Sequence, residues 1–199
     1  MTEFKVYGSP RNPRCGLWAF RYGPKPHPDV KTVQSAQGKE IWSRIPPDTD
    51  ILVTHTPAAT HCDNSLGCED LRQALSRVRP RLHVCGHVHQ ARGAERLRWQ
   101  LGAGSSPASV ASTETWEDPN PDPLSPKMSL VDLTGRDRNR PFDYGNALPA
   151  GGAASPDAGT GRRETCVVNC AIVATSYPHL EGRKLRKPIV VDLDLPVAE

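Results

Sequence analysis

The segment that most constrains the fold is residues 50–85, where two short apolar stretches flank an amphipathic one. Residues 50–54 and 82–85 have the composition of buried strands. Between them, Leu71, Leu75 and Val78 recur at spacings of four and three, which predicts a helix over residues 68–79. Pro80 then ends this helix. Strand, loop, helix and strand in this order predict a βαβ unit with two parallel neighbouring strands, and hence an α/β (α+β) fold.

The rest of the chain divides by composition. Further apolar stretches predict one helix and four strands, at residues 30–44, 4–7, 94–99, 165–168 and 188–193. Of the 64 residues in 100–163, 23 are Pro, Gly or Ser, which is typical of a flexible insert; one short strand is predicted inside it, at 129–133. We therefore predict a core over residues 1–99, an insert over 100–163, and terminal strands over 164–199 that complete the same domain.

Charge and apolar runs exclude some functions. Lys and Arg number 25 and Asp and Glu 22, so the net charge is only +3, and no nucleic-acid partner is predicted. Arginines concentrate between residues 72 and 98, either as solvated helix and strand edges or as an anion-attracting rim. The longest apolar stretch, residues 167–174, is interrupted by Asn169 and is too short for a membrane span. Residues 1–5 lack the apolar segment of a secretory signal peptide, so a cytoplasmic protein without a membrane partner is predicted.

Histidines follow both strands of the predicted βαβ unit. His55 comes directly after residues 50–54, and His87 and His89 come after residues 82–85. Ligands bind beyond the carboxyl ends of parallel strands, so the three imidazoles are expected to converge there, with Gly86 allowing a sharp turn. Imidazole suits zinc, iron, nickel and manganese-type sites. The alternative from spacing alone is that these histidines are ordinary polar loop residues.

The residues around these histidines resemble the last two motifs of the calcineurin-like metallophosphoesterases. The two motifs are Val-Thr-His-Thr-Pro at residues 53–57 and Gly-His-Val-His at 86–89. Over roughly residues 3–99 and 164–196 the chain resembles the small branch called metallophosphoesterase domain-containing proteins. The resemblance implies the C-terminal part of a β-sandwich flanked by helices. It also implies hydrolysis of phosphate mono- or diesters, including phosphodiesterase activity, at a site with two divalent ions, Mn, Zn or Fe.

The resemblance also assigns individual residues. It implies that His55 and His87 ligate one metal ion and that His89 ligates the other. His61, in His-Cys-Asp, resembles a family His-Leu-Asp and is expected to bind the substrate phosphate, with a capped loop as the alternative. His83 and Cys85 are expected in the core, and Asn169 is expected to satisfy backbone groups near a strand end.

Three family motifs have no counterpart in this sequence. There is no Asp-x-His, Gly-Asp or Gly-Asn-His motif. These carry the aspartate that bridges two ions and the histidine that protonates the leaving group, so no catalytic acid is assigned. We therefore predict incompletely bound metal ions and little or no hydrolase activity for the chain alone.

Several interpretations of the missing motifs stay open. The chain is either the C-terminal part of an enzyme, with the rest lost from a truncated gene model or supplied by a complementing half, or a non-catalytic binding or regulatory remnant. A Cys/His zinc-binding interaction module is the least favoured. The half-sandwich is expected to expose one edge of its sheet, which predicts self-association.

Overall fold

A computed structural model describes most of the chain. The described residues are 4–13, 19–23, 34–102, 107–122, 125, 127–134, 162–174, 182 and 184–195. In chain order their elements are β1 (Val6–Ser9), β2 (Asn12–Pro13), β3 (Arg21–Tyr22), α1 (Ala36–Ser43), β4 (Ile51–Thr54), α2 (Glu69–Val78), β5 (Leu82–Cys85), a 3₁₀ helix (His89–Ala91), β6 (Gly93–Gln100), β7 (Ser109–Thr115), β8 (Ser129–Asp132), β9 (Glu164–Asn169) and β10 (Ile189–Asp192).

Six strands form one mixed sheet in the order β1–β4–β5–β9–β6–β7. The first four are parallel to one another, and β6 and β7 join antiparallel. β8 pairs with β10 in a separate two-stranded parallel sheet, and β2 pairs with β3 in another. The carboxyl ends of the four parallel strands meet at one edge of the main sheet, which we call the carboxyl edge.

The predicted βαβ unit is confirmed. β4 and β5 are adjacent and parallel, with α2 between them in the chain. The Sγ atom of Cys68 accepts from the backbone N–H of Leu71 and caps the start of α2. At the other end Arg79 adopts a left-handed conformation (φ 48°), and its N–H donates to the carbonyl of Leu75 at 2.8 Å. This left-handed C-cap and the proline after it stop the helix.

Both faces of the main sheet carry a packed core. On one face Leu52 and Val167 pack against α1 and α2 through Trp42, Leu71 and Leu75. On the other face the alternate strand positions, including Cys166 and Val168, pack against the β8–β10 sheet. Successive strand residues point to opposite faces, so each strand serves both cores. The predicted α/β class is confirmed: two packed sheets with helices on the outer side of the larger one.

The boundaries of several predicted elements change. β1 lies at Val6–Ser9 instead of 4–7, and α1 begins at Ala36 after a Ser35 cap, whereas residues 24–33 lie outside the described residues. The prediction of a flexible insert overlooked β7, which pairs with β6 as the edge strand of the main sheet. β7 escaped prediction because it is almost entirely exposed and has no apolar alternation. Residues 135–161 of the predicted insert lie outside the described residues, and the domain boundaries stay a prediction.

A buried charge network lies at the amino ends of the parallel strands, opposite the carboxyl edge. The Oδ1 atom of Asp50 accepts from Arg162 Nη2 at 2.7 Å and from Arg81 Nε at 3.1 Å, and its Oδ2 accepts from the N–H of Lys5 at 2.9 Å. Arg162 also donates to the carbonyl of Thr49 at 2.6 Å. These contacts tie the start of β4 to the start of β9.

Apolar side chains are exposed near β1, the strand at the outer edge of the main sheet. Val6 and Val53 on β1 and β4 are 57% and 41% exposed, so apolar side chains face solvent here. Self-association through this edge stays a prediction. Among the described residues, no helix has the length and apolar character needed to cross a membrane.

Candidate metal centre

The carboxyl edge brings His55 and His87 together. His55 follows β4 directly, and His87 follows β5 after Gly86. Backbone bonds continue the ladder beyond both strands: the N–H of His55 donates to the carbonyl of Ser9 at 3.2 Å, and the N–H of Gly86 donates to the carbonyl of His55 at 3.1 Å. The backbone of His55 is therefore bonded to the sheet directly, and His87 is held through the neighbouring Gly86.

The two imidazoles face each other through nitrogen atoms. His55 Nε2 lies 3.0 Å from His87 Nδ1, and the ring centroids are 4.7 Å apart at an interplanar angle of 62°. Two nitrogen ligands of one tetrahedral ion with metal–nitrogen bonds of about 2.0–2.1 Å stand about 3.3 Å apart. The observed separation is close to this value, so the pair fits two ligands of a single ion.

The electrostatics favour the neutral, ligating form of both rings. Burial lowers the pKa of His55, and the nearby His89 lowers it further. Burial also lowers the pKa of His87, with added effects of His55 and His89. A lowered histidine pKa means that the ring is unprotonated at neutral pH, which is the state that binds metal ions.

The turn that presents His87 is strained. His87 has φ 63°, in the left-handed region, and the N–H of Val88 donates to the carbonyl of Gly86 at 2.6 Å. This i to i+2 bond around a residue of positive φ has the pattern of the rare γ-turn. The expectation for Gly86 was wrong: the sharp turn is at His87, and a Cβ on Gly86 would meet only one backbone atom, at 4.0 Å.

His89 lies near the pair without completing a ligand set. It begins the 3₁₀ helix, is half-buried, and is close enough to lower the pKa of both His55 and His87. Within the described ranges, no three His, Cys, Asp or Glu side chains are grouped so that they can hold a metal ion. The donor chemistry thus fits a two-nitrogen part of a centre, and the assignment of His89 to a second ion stays a prediction.

Asn169 satisfies backbone groups near the end of β9, as predicted. Its side chain is fully buried at the end of β9. Nδ2 donates to the carbonyls of Cys62 and Val88, both at 2.9 Å, and Oδ1 accepts from the N–H of Ala171 at 3.1 Å.

His61 is buried beside a carboxylate, with only 5% of its surface exposed. Its Nδ1 lies 3.3 Å from Glu95 Oε2, and the backbone N–H of Cys62 donates to Glu95 Oε1 at 3.2 Å. Burial acts to raise the pKa of Glu95, but the hydrogen bonds from His61 and from the N–H of Cys62, together with the charge of His61, outweigh it and leave this pKa lowered. Sequence reasoning missed Glu95, because it lies on β6, 34 positions from His61, and no local motif links them. The substrate-binding role of His61 stays a prediction.

The histidine within β5 is a core residue, as predicted. His83 is fully buried, and its Nε2 lies 2.9 Å from Thr54 Oγ1. Thr54 Oγ1 donates to the carbonyl of Thr56 at 2.6 Å, so its proton is already used. His83 therefore donates from Nε2, and its Nδ1 is the buried atom without a partner. Cys85 is buried as well.

Four arginines of residues 72–98 make contacts with residues in or next to helices and strands. Arg72 pairs with Glu69, Arg77 donates to the carbonyls of Trp42, Ser43 and Ile45, Arg79 donates to the carbonyl of Arg162, and Arg98 pairs with Glu164. These contacts support the interpretation of helix and strand edges more than that of an anion-attracting rim.

Fold and site together define an α/β protein with a histidine pair, suited to metal binding, at the carboxyl edge of a mixed sheet. Residues 18–91 match the model of the calcineurin-like phosphoesterase family, and this span contains His55, His87 and His89. Over this segment the chain is similar to the calcineurin-like phosphoesterases.

Curated relatives match over limited parts of their lengths. The chain is 41% identical over 117 residues to the probable rhamnogalacturonate lyase C of Emericella nidulans, which covers 57% of this chain and 10% of that protein. It is 35% identical over 97 residues to human metallophosphoesterase domain-containing protein 1, covering 45% of this chain and 27% of the relative. A UPF0046 protein of Caenorhabditis elegans is 34% identical over 94 residues, or 44% of this chain and 21% of the relative.

The chain therefore spans between 10% and 27% of the length of these three relatives. No solved structure gives a significant match.

Proposed function

We propose that this chain supplies the histidine part of the metal centre of a calcineurin-like phosphoesterase that hydrolyses phosphate mono- or diesters. The facing nitrogens of His55 and His87, 3.0 Å apart, carry the proposal. They are the ligands of one divalent ion, Mn, Zn or Fe, and His89 is the ligand of a second ion. Such ions, when bound, activate water and offset the charge that develops on the phosphoryl oxygens.

The chain's own residues perform the preparatory work in this proposal. Burial lowers the pKa of His55 and that of His87, which favours the neutral rings that ligate metal ions. The backbone ladder from Ser9 through His55 to Gly86 sets the distance between the two rings. His61, held by Glu95, is the proposed contact for substrate phosphate.

Hydrolysis by this chain alone is expected to be weak or absent. The three proposed ligands are neutral imidazoles, and three neutral donors do not balance two dications. The bridging carboxylate and the general acid have to come from another segment or another chain. A stable chain that binds metal and does not hydrolyse would be the binding or regulatory remnant considered above.

Metal binding tests the proposal most directly. The free Mn²⁺ signal in electron paramagnetic resonance measures the affinity of the wild-type chain, His55→Ala and His87→Ala. Gln90→Ala is the control, because Gln90 is exposed in the same loop region and is not a proposed ligand. We expect binding by the wild type and Gln90→Ala and loss in both histidine variants. Equal binding by all four proteins, or none by the wild type, contradicts the proposal.

Hydrolysis of bis(p-nitrophenyl) phosphate in the presence of Mn²⁺ tests the second part. We expect turnover close to the uncatalysed rate for the chain alone. Substantial turnover that disappears in His87→Ala would show that the chain holds a complete centre, and it would refute the expectation of a partial one.

A further inference from the structure

The amide of Asn169 joins two loops at the carboxyl edge. Its Nδ2 contacts the carbonyl of Val88, which lies between His87 and His89, and the carbonyl of Cys62, which follows His61. Two carbonyls facing the nitrogen and one N–H facing the oxygen allow only one orientation of the amide, since the reverse would set oxygen against oxygen. The side chain is thus a fully bonded buried bridge, with no exposed surface.

Both loops that Asn169 joins contain strained backbone. His87 has φ 63° in the first loop. In the second loop, residues 60–65, four residues other than glycine have positive φ: Thr60 (70°), Cys62 (48°), Asn64 (47°) and Ser65 (62°). Such conformations are sterically unfavourable for residues other than glycine and persist only where the surroundings enforce them. Asp63 stabilises the second loop from within, accepting the N–H groups of Thr60, Ser65 and Gly67.

We propose that Asn169 is a positioning residue that holds the His87 turn in its ligating geometry and couples loop 60–65 to it. The part of this inference that concerns metal affinity rests on the proposed function. By fixing the Val88 carbonyl, Asn169 keeps His87 Nδ1 facing His55 before any ion arrives. The same amide holds Cys62, so metal binding at the histidine pair also orders loop 60–65.

The test uses two variants of Asn169 and one matched control. Asn169→Asp keeps the acceptor for Ala171 and loses both donors, and Asn169→Ser removes the bridge without adding a buried charge. Thr165→Val is the control, because Thr165 is also fully buried on β9 and loses a bond of 2.9 Å from the indole Nε1 of Trp99. Mn²⁺ affinity is measured by electron paramagnetic resonance, and amide hydrogen exchange is measured with and without Mn²⁺.

We expect Mn²⁺ affinity to fall about 10- to 100-fold in the Asn169 variants, as for other residues that orient metal ligands, and to stay unchanged in Thr165→Val. In the metal-free chain, amides of residues 86–89 and 60–65 should exchange faster in the Asn169 variants only. Mn²⁺ should slow exchange in loop 60–65 of the wild type and not of the variants.

The outcomes separate this inference from the proposed function. Faster exchange in only one loop, or equal changes in Thr165→Val, would overturn the coupling. If the wild-type chain binds no Mn²⁺, both the proposed function and the effect of Asn169 on metal affinity are overturned. Faster exchange at both loops in the metal-free Asn169 variants would still support the coupling of the two loops.

Discussion

The Nε2 atom of His55 lies 3.0 Å from the Nδ1 atom of His87, although 32 positions separate these residues in the chain. The contact exists because β4 and β5 are parallel neighbours, so that the residues after them leave the sheet at one edge. It places two imidazole nitrogens opposite each other, and His87 adopts a left-handed conformation although it is not glycine. The conformation at His87 leads to the first prediction.

Replacing His87 by glycine should cost less stability than replacing it by alanine. Both variants lose the imidazole, and only glycine adopts φ 63° without steric penalty. We expect the free energy of unfolding of His87→Gly to exceed that of His87→Ala by about 1 kcal/mol. Urea unfolding of the two metal-free variants measures the difference. A more stable alanine variant would mean that the turn relaxes once the imidazole is gone.

Acid should destabilise the fold through His83. Burial, together with the nearby His61, lowers the pKa of His83 to about 3, whereas an unfolded histidine titrates near 6.5. Between these values the unfolded chain binds a proton that the folded chain does not, so stability decreases as pH falls from about 6.5 towards 3. The loss approaches at most about 1.4 kcal/mol per pH unit from this one group.

His83→Gln provides the comparison for that prediction. Glutamine can donate to Thr54 and does not titrate. We expect its free energy of unfolding to depend less steeply on pH between 6.5 and 4 than that of the wild type, in urea titrations at several pH values. Parallel pH profiles would show that other groups govern the acid sensitivity.

Gly67→Ala should destabilise the loop that follows His55. A Cβ on Gly67 would lie 2.6 Å from the carbonyl oxygen of Ala58 and 2.7 Å from Ala59 Cα, and these backbone atoms cannot move aside cheaply. We expect a loss of about 2 kcal/mol or more. Gly93→Ala is the control, since a Cβ there meets nothing within 4 Å, and its stability should change by less than about 0.5 kcal/mol. Thermal unfolding of both variants distinguishes the two sites, and equal shifts would contradict the steric argument.

Asp50→Asn should be far more harmful than Asp48→Asn. Asp50 is 5% exposed and accepts from Arg162 and Arg81, so neutralising it removes the buried negative charge that faces two guanidinium groups. We expect a loss of about 3–5 kcal/mol. Asp48 is partly exposed and pairs with Lys5, and its loss should cost no more than about 1 kcal/mol. Denaturant unfolding measures the free energy of unfolding of both variants. Similar losses in the two would mean that the Asp50 network contributes no more to stability than the exposed pair does.

The fold could be predicted from the sequence where buried residues recur at regular spacing. β5, α2 and the parallel pairing of β4 with β5 were predictable, because Leu71, Leu75 and Val78 mark a helix face and two apolar runs mark buried strands. β7 was not predictable, because an exposed edge strand is stabilised by backbone bonds to β6 and needs no apolar pattern.

The sequence by itself determined which side chains are available for chemistry: His55, His87 and His89 follow their strands in a motif that resembles a phosphoesterase family. Only the tertiary structure decided how they meet. The contact of His55 with His87, the Asn169 bridge and the pairing of His61 with Glu95 all join distant parts of the chain. Such contacts depend on how β4, β5, β6 and β9 pack side by side, and a local pattern of residues predicts only the pairing of β4 with β5.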